Sequence, residues 1–325
     1  MDELDQKLLD ELERHGFQKA AILAPKLGVG ENTIHRRISN MRSKEVIKVI
    51  ALPNPVLFGY KAWAIIGIKV EPGSLYDVTR ELVEHPSTYM VAFSLSEFDI
   101  MADVLFDTFD KLTFFVSSEL MRIKGILRTE TILLMCPRKY YNFSWPAPVF
   151  TKSNTGWEHY PDATSHNVYQ IDETDRRIIS ILRRDGLTRP AALKARLGMG
   201  ESTIRKRLKN MLNRGLFSIE VVPNPKVLQY EAWAMMGINI KHQFAHEVID
   251  AIIKNPAVYF ASVSLGRFNV IICARFHNMH LLNHFVKVEL PAIKGIASVE
   301  PFLYNRLLKY HSIDWSIDWS YPLKL

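Results

Sequence analysis

Leu27-Gly28-Val29-Gly30-Glu31-Asn32-Thr33-Ile34 returns 170 residues downstream as Leu197-Gly198-Met199-Gly200-Glu201-Ser202-Thr203-Ile204. The match runs outward in both directions without a gap. Upstream, Asp2-Glu3-Leu4-Asp5 falls on Asp172-Glu173-Thr174-Asp175. Downstream, Pro53-Asn54-Pro55 falls on Pro223-Asn224-Pro225, Tyr60, Ala62, Trp63 and Ala64 fall on Tyr230, Ala232, Trp233 and Ala234, and Lys124-Gly125-Ile126 falls on Lys294-Gly295-Ile296. Even Trp145 lands on Trp315. A correspondence of this length that includes Gly, Pro and Trp is duplication of a whole module, not a short solenoid repeat.

A chain of 325 residues has room for more than one globular unit. Hydrophobic residues at 48% and charged residues at 23% exclude a disordered, collagen-like or coiled-coil chain. No apolar run reaches the roughly 18 residues of a membrane span. The amino terminus is acidic and amphipathic, unlike a signal peptide, so a cytoplasmic protein with no membrane partner is expected. Cys136 and Cys273 occupy no metal-ligand spacing and read as small buried hydrophobes in a reducing compartment. The formal charge of +7 favours a polyanionic partner. That surplus has an address: residues 1–50 hold 9 Lys plus Arg against 8 Asp plus Glu, and residues 171–220 hold 12 against 6.

Each copy has two parts. Leu4, Leu8, Leu9 and Leu12 recur at helical spacing, Gly16 interrupts, Ala21 to Leu27 forms a second helix and Glu31 to Arg42 a third. Three short helices with a glycine turn before the third outline a helix-turn-helix over residues 1–50 and, in the second copy, 171–220. From Tyr60 the period changes. Ala62 to Val70 reads as a strand, Ser74 to Glu84 as a helix, Tyr89 to Leu95 and Asp99 to Phe106 as two strands, Phe109 to Ile123 as a helix and Leu127 to Leu134 as a strand. The order β-α-β-β-α-β is ferredoxin-like, and it assigns residues 51–145 and 221–325 to an α+β domain. One sheet face per copy is left bare; Ile66, Ile68, Val91 and Ile132 would make it apolar, so another such sheet, from the sister copy or another chain, is expected to cover it.

Residues 146–170 form a linker rich in Pro, Gly, Ser and Thr. Its Phe150, Trp157 and Tyr160 predict packing along the modules in place of a free tether. His277, His280 and His284, like His242 and His246, lie at helical spacing but read as solvated helix faces, so no metal or other cofactor is expected. The tail repeats Ile-Asp-Trp-Ser over residues 313–320, as an amphipathic strand or arm would.

This combination resembles the Lrp/AsnC (feast/famine) transcriptional regulators, over nearly all of both copies. The resemblance implies two such regulators fused in tandem, each a helix-turn-helix that binds double-stranded DNA followed by a RAM-type domain that dimerises and takes an amino-acid-like effector. A homo-oligomer built through those sheets follows from it.

In a helix-turn-helix the third helix lies in the major groove with its amino-terminal residues on base edges. This places Glu31, Asn32, His35 and Arg36 of copy one, and Glu201, Ser202, Arg205, Lys206 and Lys209 of copy two, toward DNA. Arg or Lys reads guanine and Asn reads adenine. Thr33, Arg37, Thr203 and Arg207 are placed for phosphate contact or helix packing. Ile34, Ile38 and Met41 face inward, as do Ile204, Leu208 and Met211. Because the two reading sets differ, an asymmetric operator is expected, with tighter and more salt-dependent binding by the second reader. Pro25 lies where copy two has Ala195; either it kinks or shortens the second helix, or that helix starts near Leu23.

By the resemblance, an effector would sit at the turn between the second and third strands, typically Gly-x-Tyr/Phe-Asp. Copy one has Ser96-Glu97-Phe98-Asp99 and lacks the glycine; copy two has Gly266-Arg267-Phe268-Asn269 and lacks the acid. Asp99 could take an amino group and the amides near Gly266 a carboxylate; an ordinary hairpin turn explains the same residues. Sirohaem decarboxylases resemble the same two-part architecture. Their second strand is expected to carry a His-Asn-Tyr-like motif with basic residues, and residues 87–93 and 257–263 contain neither His nor Arg. No phosphate loop or nucleophile-base motif occurs elsewhere, so a regulator and not an enzyme is expected.

Overall fold

Asp2 and Asp172 each open a helix by the same reciprocal device. The Asp5 N–H donates to Asp2 Oδ1 at 2.9 Å and the Asp2 N–H returns to Asp5 Oδ2 at 3.3 Å; Asp172 and Asp175 repeat this at 2.8 and 3.4 Å. These contacts satisfy N–H groups that a helix start leaves without partners. In the computed structural model, which describes residues 1–55, 57–140, 171–224, 231–310 and 313–314, the first copy begins with α1 (Glu3–His15), α2 (Ala20–Leu27) and α3 (Glu31–Ser43). It continues with β1 (Ile47–Pro53), β2 (Ala62–Val70), α4 (Leu75–Glu84), β3 (Thr88–Ser94), β4 (Ile100–Phe106), α5 (Phe109–Phe114) and β5 (Ile126–Tyr140). Between α5 and β5 the chain stays helical through a wide turn, Phe115–Glu119, and a tight one, Leu120–Arg122.

The second copy repeats the order as α6 (Glu173–Arg184), α7 (Pro190–Leu197), α8 (Glu201–Asn213), β6 (Phe217–Pro223), β7 (Ala232–Ile240), α9 (Ala245–Lys254), β8 (Val258–Leu265), β9 (Val270–Phe276), α10 (Met279–His284) and β10 (Ile296–Tyr310). A two-residue strand, β11 (Ile313–Asp314), pairs with the end of β10. The linker and the rest of the tail lie outside the described residues. Pro25 sits inside α2, which nevertheless starts at Ala20 and is eight residues long, as α7 is. The start near Leu23 is not adopted, and the proline does not shorten the helix.

The chain folds into two units, and each unit takes the same part from both copies. The first comprises Met1–Gly59 and Tyr140–Leu228, the second Tyr60–Lys139 and Gln229–Leu325. Sequence boundaries at 50/51 and 220/221 therefore cut through β1 and β6, two strands that the helical reading did not include. The cause is the stretch Ile47 to Leu52, apolar but for Lys48, which shows no sustained alternation but is extended in conformation.

In the first unit β1 and β6 pair antiparallel about a pseudo-two-fold point where Ile50 lies opposite its own repeat equivalent, Glu220. Each helix set then grips the other copy's strand. The Gly186 N–H donates to the Val49 carbonyl at 2.8 Å, and a Cβ on Gly186 would stand 2.8 Å from the Ile50 carbonyl carbon, so only glycine allows this approach. Reciprocally, the Phe17 N–H donates to the Ile219 carbonyl at 3.2 Å. Arg42 and Asp185 form an ion pair at 2.8 Å between the copies.

In the second unit eight strands close into a ring in the order β10, β3, β4, β2, β5, β8, β9, β7 and back to β10. Pairing between the halves is thus made within one chain. The face assignment for the sheet requires a correction. Ile66, Ile68 and Val91 pack under the helices with Val78, Leu82 and Phe115, and the opposite face, including Trp63, meets the sister copy. Trp63 and Phe260 approach at 5.3 Å between ring centroids, and Phe98 stacks on Phe302 at 6.3 Å. β2 is buried on both faces at seven successive residues, which hides the alternation that would have told the faces apart. Lys139 donates to the Ile253 and Asn255 carbonyls at 2.8 and 3.0 Å, and its equivalent Lys309 donates to those of Val83 and His85 at 2.9 and 3.0 Å. Each half thereby closes the end of the other's first domain helix, α9 or α4.

Candidate nucleic-acid interface

The third helix of each copy presents the face expected of it. Ile34, Ile38 and Met41 of α3 are buried, as are Ile204 and Met211 of α8, while Leu208 is half-buried. Glu31, Asn32, His35 and Arg36 are exposed on α3; Ser202, Thr203, Arg205, Lys206 and Lys209 are exposed on α8. Both helices start at a glycine with no side-chain cap, Gly30 and Gly200, so their first N–H groups face outward. Within α8, Arg205 Nε donates to Glu201 Oε1 at 3.0 Å. Glu201 is half-buried and braces Arg205 from one helical turn away. The equivalent pair in α3, Glu31 and His35, brings a smaller and less basic group to the same place.

Thr33 is half-buried, in contrast to the exposed Thr203. Arg37 and Arg207 take the helix-packing role of the two left open. Arg37 Nη1 reaches Asp2 Oδ2 at 2.6 Å and Asp5 Oδ1 at 2.7 Å, and Arg207 Nη1 reaches Asp172 and Asp175 at 2.7 and 2.9 Å. The Asp5 backbone N–H, followed by Arg37, holds the Asp2 carboxyl below its ordinary range; the Asp175 N–H and Arg207 do the same for Asp172. Each arginine thus ties the recognition helix to the cap of the first helix, and its charge is already matched by two carboxylates. Sequence reading missed Lys19 and Arg189. They occupy equivalent positions at the uncapped starts of α2 and α7, are both exposed, and flank the recognition helices. Their signal was a basic residue at the same repeat position.

The turns singled out for an effector are occupied by structural work. Asp99 accepts from the Val70 N–H at 2.9 Å and from Lys69 Nζ at 2.8 Å, and Asn269 Oδ1 accepts from the Ile240 N–H at 3.0 Å. Acid and amide brace the end of β2 and of β7 in the same way, so Asp99 is not a free carboxylate awaiting an amino group. Phe98 and Phe268 are core residues: a Cβ on Gly67 or Gly237 would fall 2.5 or 2.4 Å from their rings. Ser96 Oγ and Ser94 Oγ are 2.7 Å apart. Gly266, at φ 135°, sits against Thr131 and Ile132 of β5. Glu97 and Arg267 meet at 2.6 Å, with Arg128 also on Glu97, and Arg267 further binds Glu300 at 2.7 Å. Arg267 and then Arg128 hold the Glu97 carboxyl below its usual range.

Among the described residues no group of three His, Cys, Asp or Glu side chains could hold a metal ion, and no helix is long and apolar enough to cross a membrane.

Comparison with known proteins agrees with this division. A model of the AsnC-type helix-turn-helix domain matches residues 1–42 and again 171–212, and a model of the Lrp/AsnC ligand binding domain matches residues 63–142. An HTH-type transcriptional regulator of Pyrococcus furiosus is 32% identical over 141 residues, which is 43% of this chain and 95% of that protein. The HTH-type transcriptional regulator FL11 of the same organism is 29% identical over 136 residues, 42% of this chain and 89% of its own length. Nearly the whole of each relative therefore corresponds to less than half of this chain. A solved structure of the siroheme decarboxylase NirDL aligns over 97% of this chain and 94% of its own at a TM-score of 0.62 and 15% identity, which shows a shared tandem fold and nothing of shared chemistry. With two AsnC-type helix-turn-helix segments, a following ligand-binding domain and a relative matched over almost its full length, the chain belongs to the Lrp/AsnC family of helix-turn-helix transcriptional regulators.

Proposed function

We propose that the first unit reads double-stranded DNA with two unlike recognition helices, so that one polypeptide addresses two half-sites. The observation that carries this is the pairing of β1 with β6, which relates α3 and α8 by a pseudo-two-fold within one unit. Two-fold related readers address half-sites about 34 Å, one helical turn, apart or a multiple of it. Asn32, His35 and Arg36 supply one set of base contacts, and Ser202, Arg205, Lys206 and Lys209 the other. Lys19, Arg189 and the open helix starts add phosphate contacts. Fusion also raises the local concentration of the second reader once the first is bound.

The second unit joins the halves. An amino-acid-like effector is part of this reading, supported by the ligand-binding family model. Since the side chains of Asp99, Asn269 and Ser96 are engaged, such an effector would rely on backbone groups. Higher oligomers would use surfaces other than the ring interior, where Leu95 and Leu265 stand exposed at equivalent turns. The chain acts in the cytoplasm and without a catalytic step of its own; the regulators it matches support this, and the likeness to NirDL stays one of fold.

Retardation of the chain's own upstream DNA tests the reading. Loss of the specific band in both Arg36→Ala and Lys206→Ala proteins is expected. An unshifted duplex, together with a new visible absorption band on adding an iron tetrapyrrole, would turn the assignment toward an enzyme.

A further inference from the structure

Duplication allows every residue near a pseudo-two-fold axis to be compared with its own repeat equivalent, which is also the residue it would face if a half paired with a copy of itself. Three such positions bring unlike residues together. In the first unit Ile50 lies directly opposite Glu220, whose side chain is buried. In the second, Glu97 and Arg267 are equivalent under the 170-residue offset and form an ion pair at 2.6 Å. Glu130 and Glu300, themselves equivalent, flank the same guanidinium at 3.7 and 2.7 Å. Inside the ring, Asp103 and Cys273 are likewise equivalent. Their strand neighbours Ala102, Val104, Ile272 and Ala274 pack under the helices, so Asp103 and Cys273 both point to the inner side of the ring.

We propose that these axis positions make each half accept the other half and reject a second copy of itself. If the first half paired with its like, two Glu97 and two Glu130 carboxylates would share two Arg128, leaving an acidic excess, and Asp103 would meet a second Asp103. If the second half paired with its like, two Arg267 would meet with a Glu300 beside each, a neutral arrangement, but Glu220 would meet Glu220 between paired strands. Like charges directly opposed across a strand pair are destabilising, and buried ones cannot both ionise. The first half therefore carries two acidic positions that oppose self-pairing, Glu97 and Asp103, and the second half one, Glu220; in the cross pair Glu97 meets Arg267, Asp103 meets Cys273 and Glu220 meets Ile50. The partner that fits either surface is the other half of this chain, not an equivalent half from a neighbouring molecule.

The test uses the folded full chain with a protease site placed between residues 146 and 170. Natural-abundance and 15N-labelled samples are cleaved, mixed and followed by native mass spectrometry as the halves exchange. The parent protein is expected to yield only first-half with second-half pairs, of mixed label. In Glu97→Gln/Asp103→Asn the ratio of first-half to first-half pairs should rise by about tenfold or more, the change that ~1.4 kcal/mol of lost discrimination produces. Glu220→Ile should independently release second-half self-pairs, which keeps the idea testable if the first variant does not fold. Like pairs in the parent protein, or unchanged pairing in whichever neutralised variants fold, would overturn the proposal.

Discussion

Asp103 offers a measurable consequence of the unlike core. Its Oδ1 is sealed from solvent without a hydrogen-bond partner, although the residue keeps some exposed surface, and burial raises its pKa from 3.8 to about 8. The neighbouring thiol of Cys273 and phenol of Tyr304, both pushed up by burial first, stay neutral across this range. A carboxyl with a raised folded-state pKa holds its proton more firmly in the folded than in the unfolded chain. Its contribution is fully present below the unfolded value and is lost as pH rises through about 8. At ~1.4 kcal/mol per unit, a gap of this size sets an upper limit of about 6 kcal/mol, which relaxation and water entry reduce. Asp103→Asn keeps the shape and removes the titration. Urea unfolding of both proteins at pH 5 and pH 8 should show the Asn variant gaining ~2–4 kcal/mol relative to the parent on going to pH 8. A difference between the two proteins that does not change with pH would refute this account of the ring interior.

Three further outcomes follow from the same geometry. Gly67→Ala places a Cβ 2.5 Å from the Phe98 ring, which Phe302 blocks from retreating, and should cost at least ~1–3 kcal/mol in denaturant unfolding, partly recovered in Gly67→Ala/Phe98→Leu. Arg207→Ala should lower the thermal midpoint more than Arg37→Ala, because it removes the ion-pair partner of Asp175, which is 0% exposed, whereas Asp5 keeps 19%. Lys19→Ala and Arg189→Ala, at the phosphate-contact positions, should each flatten the slope of log affinity against log salt by about 1, while Asn32→Ala should mainly relax base preference in one half-site by ~1–3 kcal/mol.

The helix-turn-helix parts were legible because short-range rules decide them. Leu4, Leu8, Leu9 and Leu12 announce the first helix, Gly28 and Gly30 a turn, and Ile34, Ile38 and Met41 an inward stripe. The exposed reading face follows from those three buried residues. What local sequence could not supply was the partner of each strand. Ile47 to Leu52 is apolar but for Lys48, and the unbroken run Val49 to Leu52 leaves neither its extended form nor its pairing with β6 marked by alternation. Ile66, Ile68 and Val91 were placed on the wrong side of the sheet for the same reason. Asp99 beside a turn looks available in one dimension, and only the fold brings the Val70 N–H and Lys69 to it. The axis pairs Glu97 with Arg267 and Asp103 with Cys273 are written in the repeat itself, but they acquire meaning once the two halves are known to face each other.

The central claim is that one chain carries two unlike readers held about a single pseudo-two-fold. Selection of duplexes from a random pool by the full-length protein, followed by native mass spectrometry of the selected complex, tests it most directly. The account predicts two dissimilar half-sites one helical turn or a whole multiple apart, occupied by one chain. Identical half-sites that require two chains, or no enriched sequence, would contradict it.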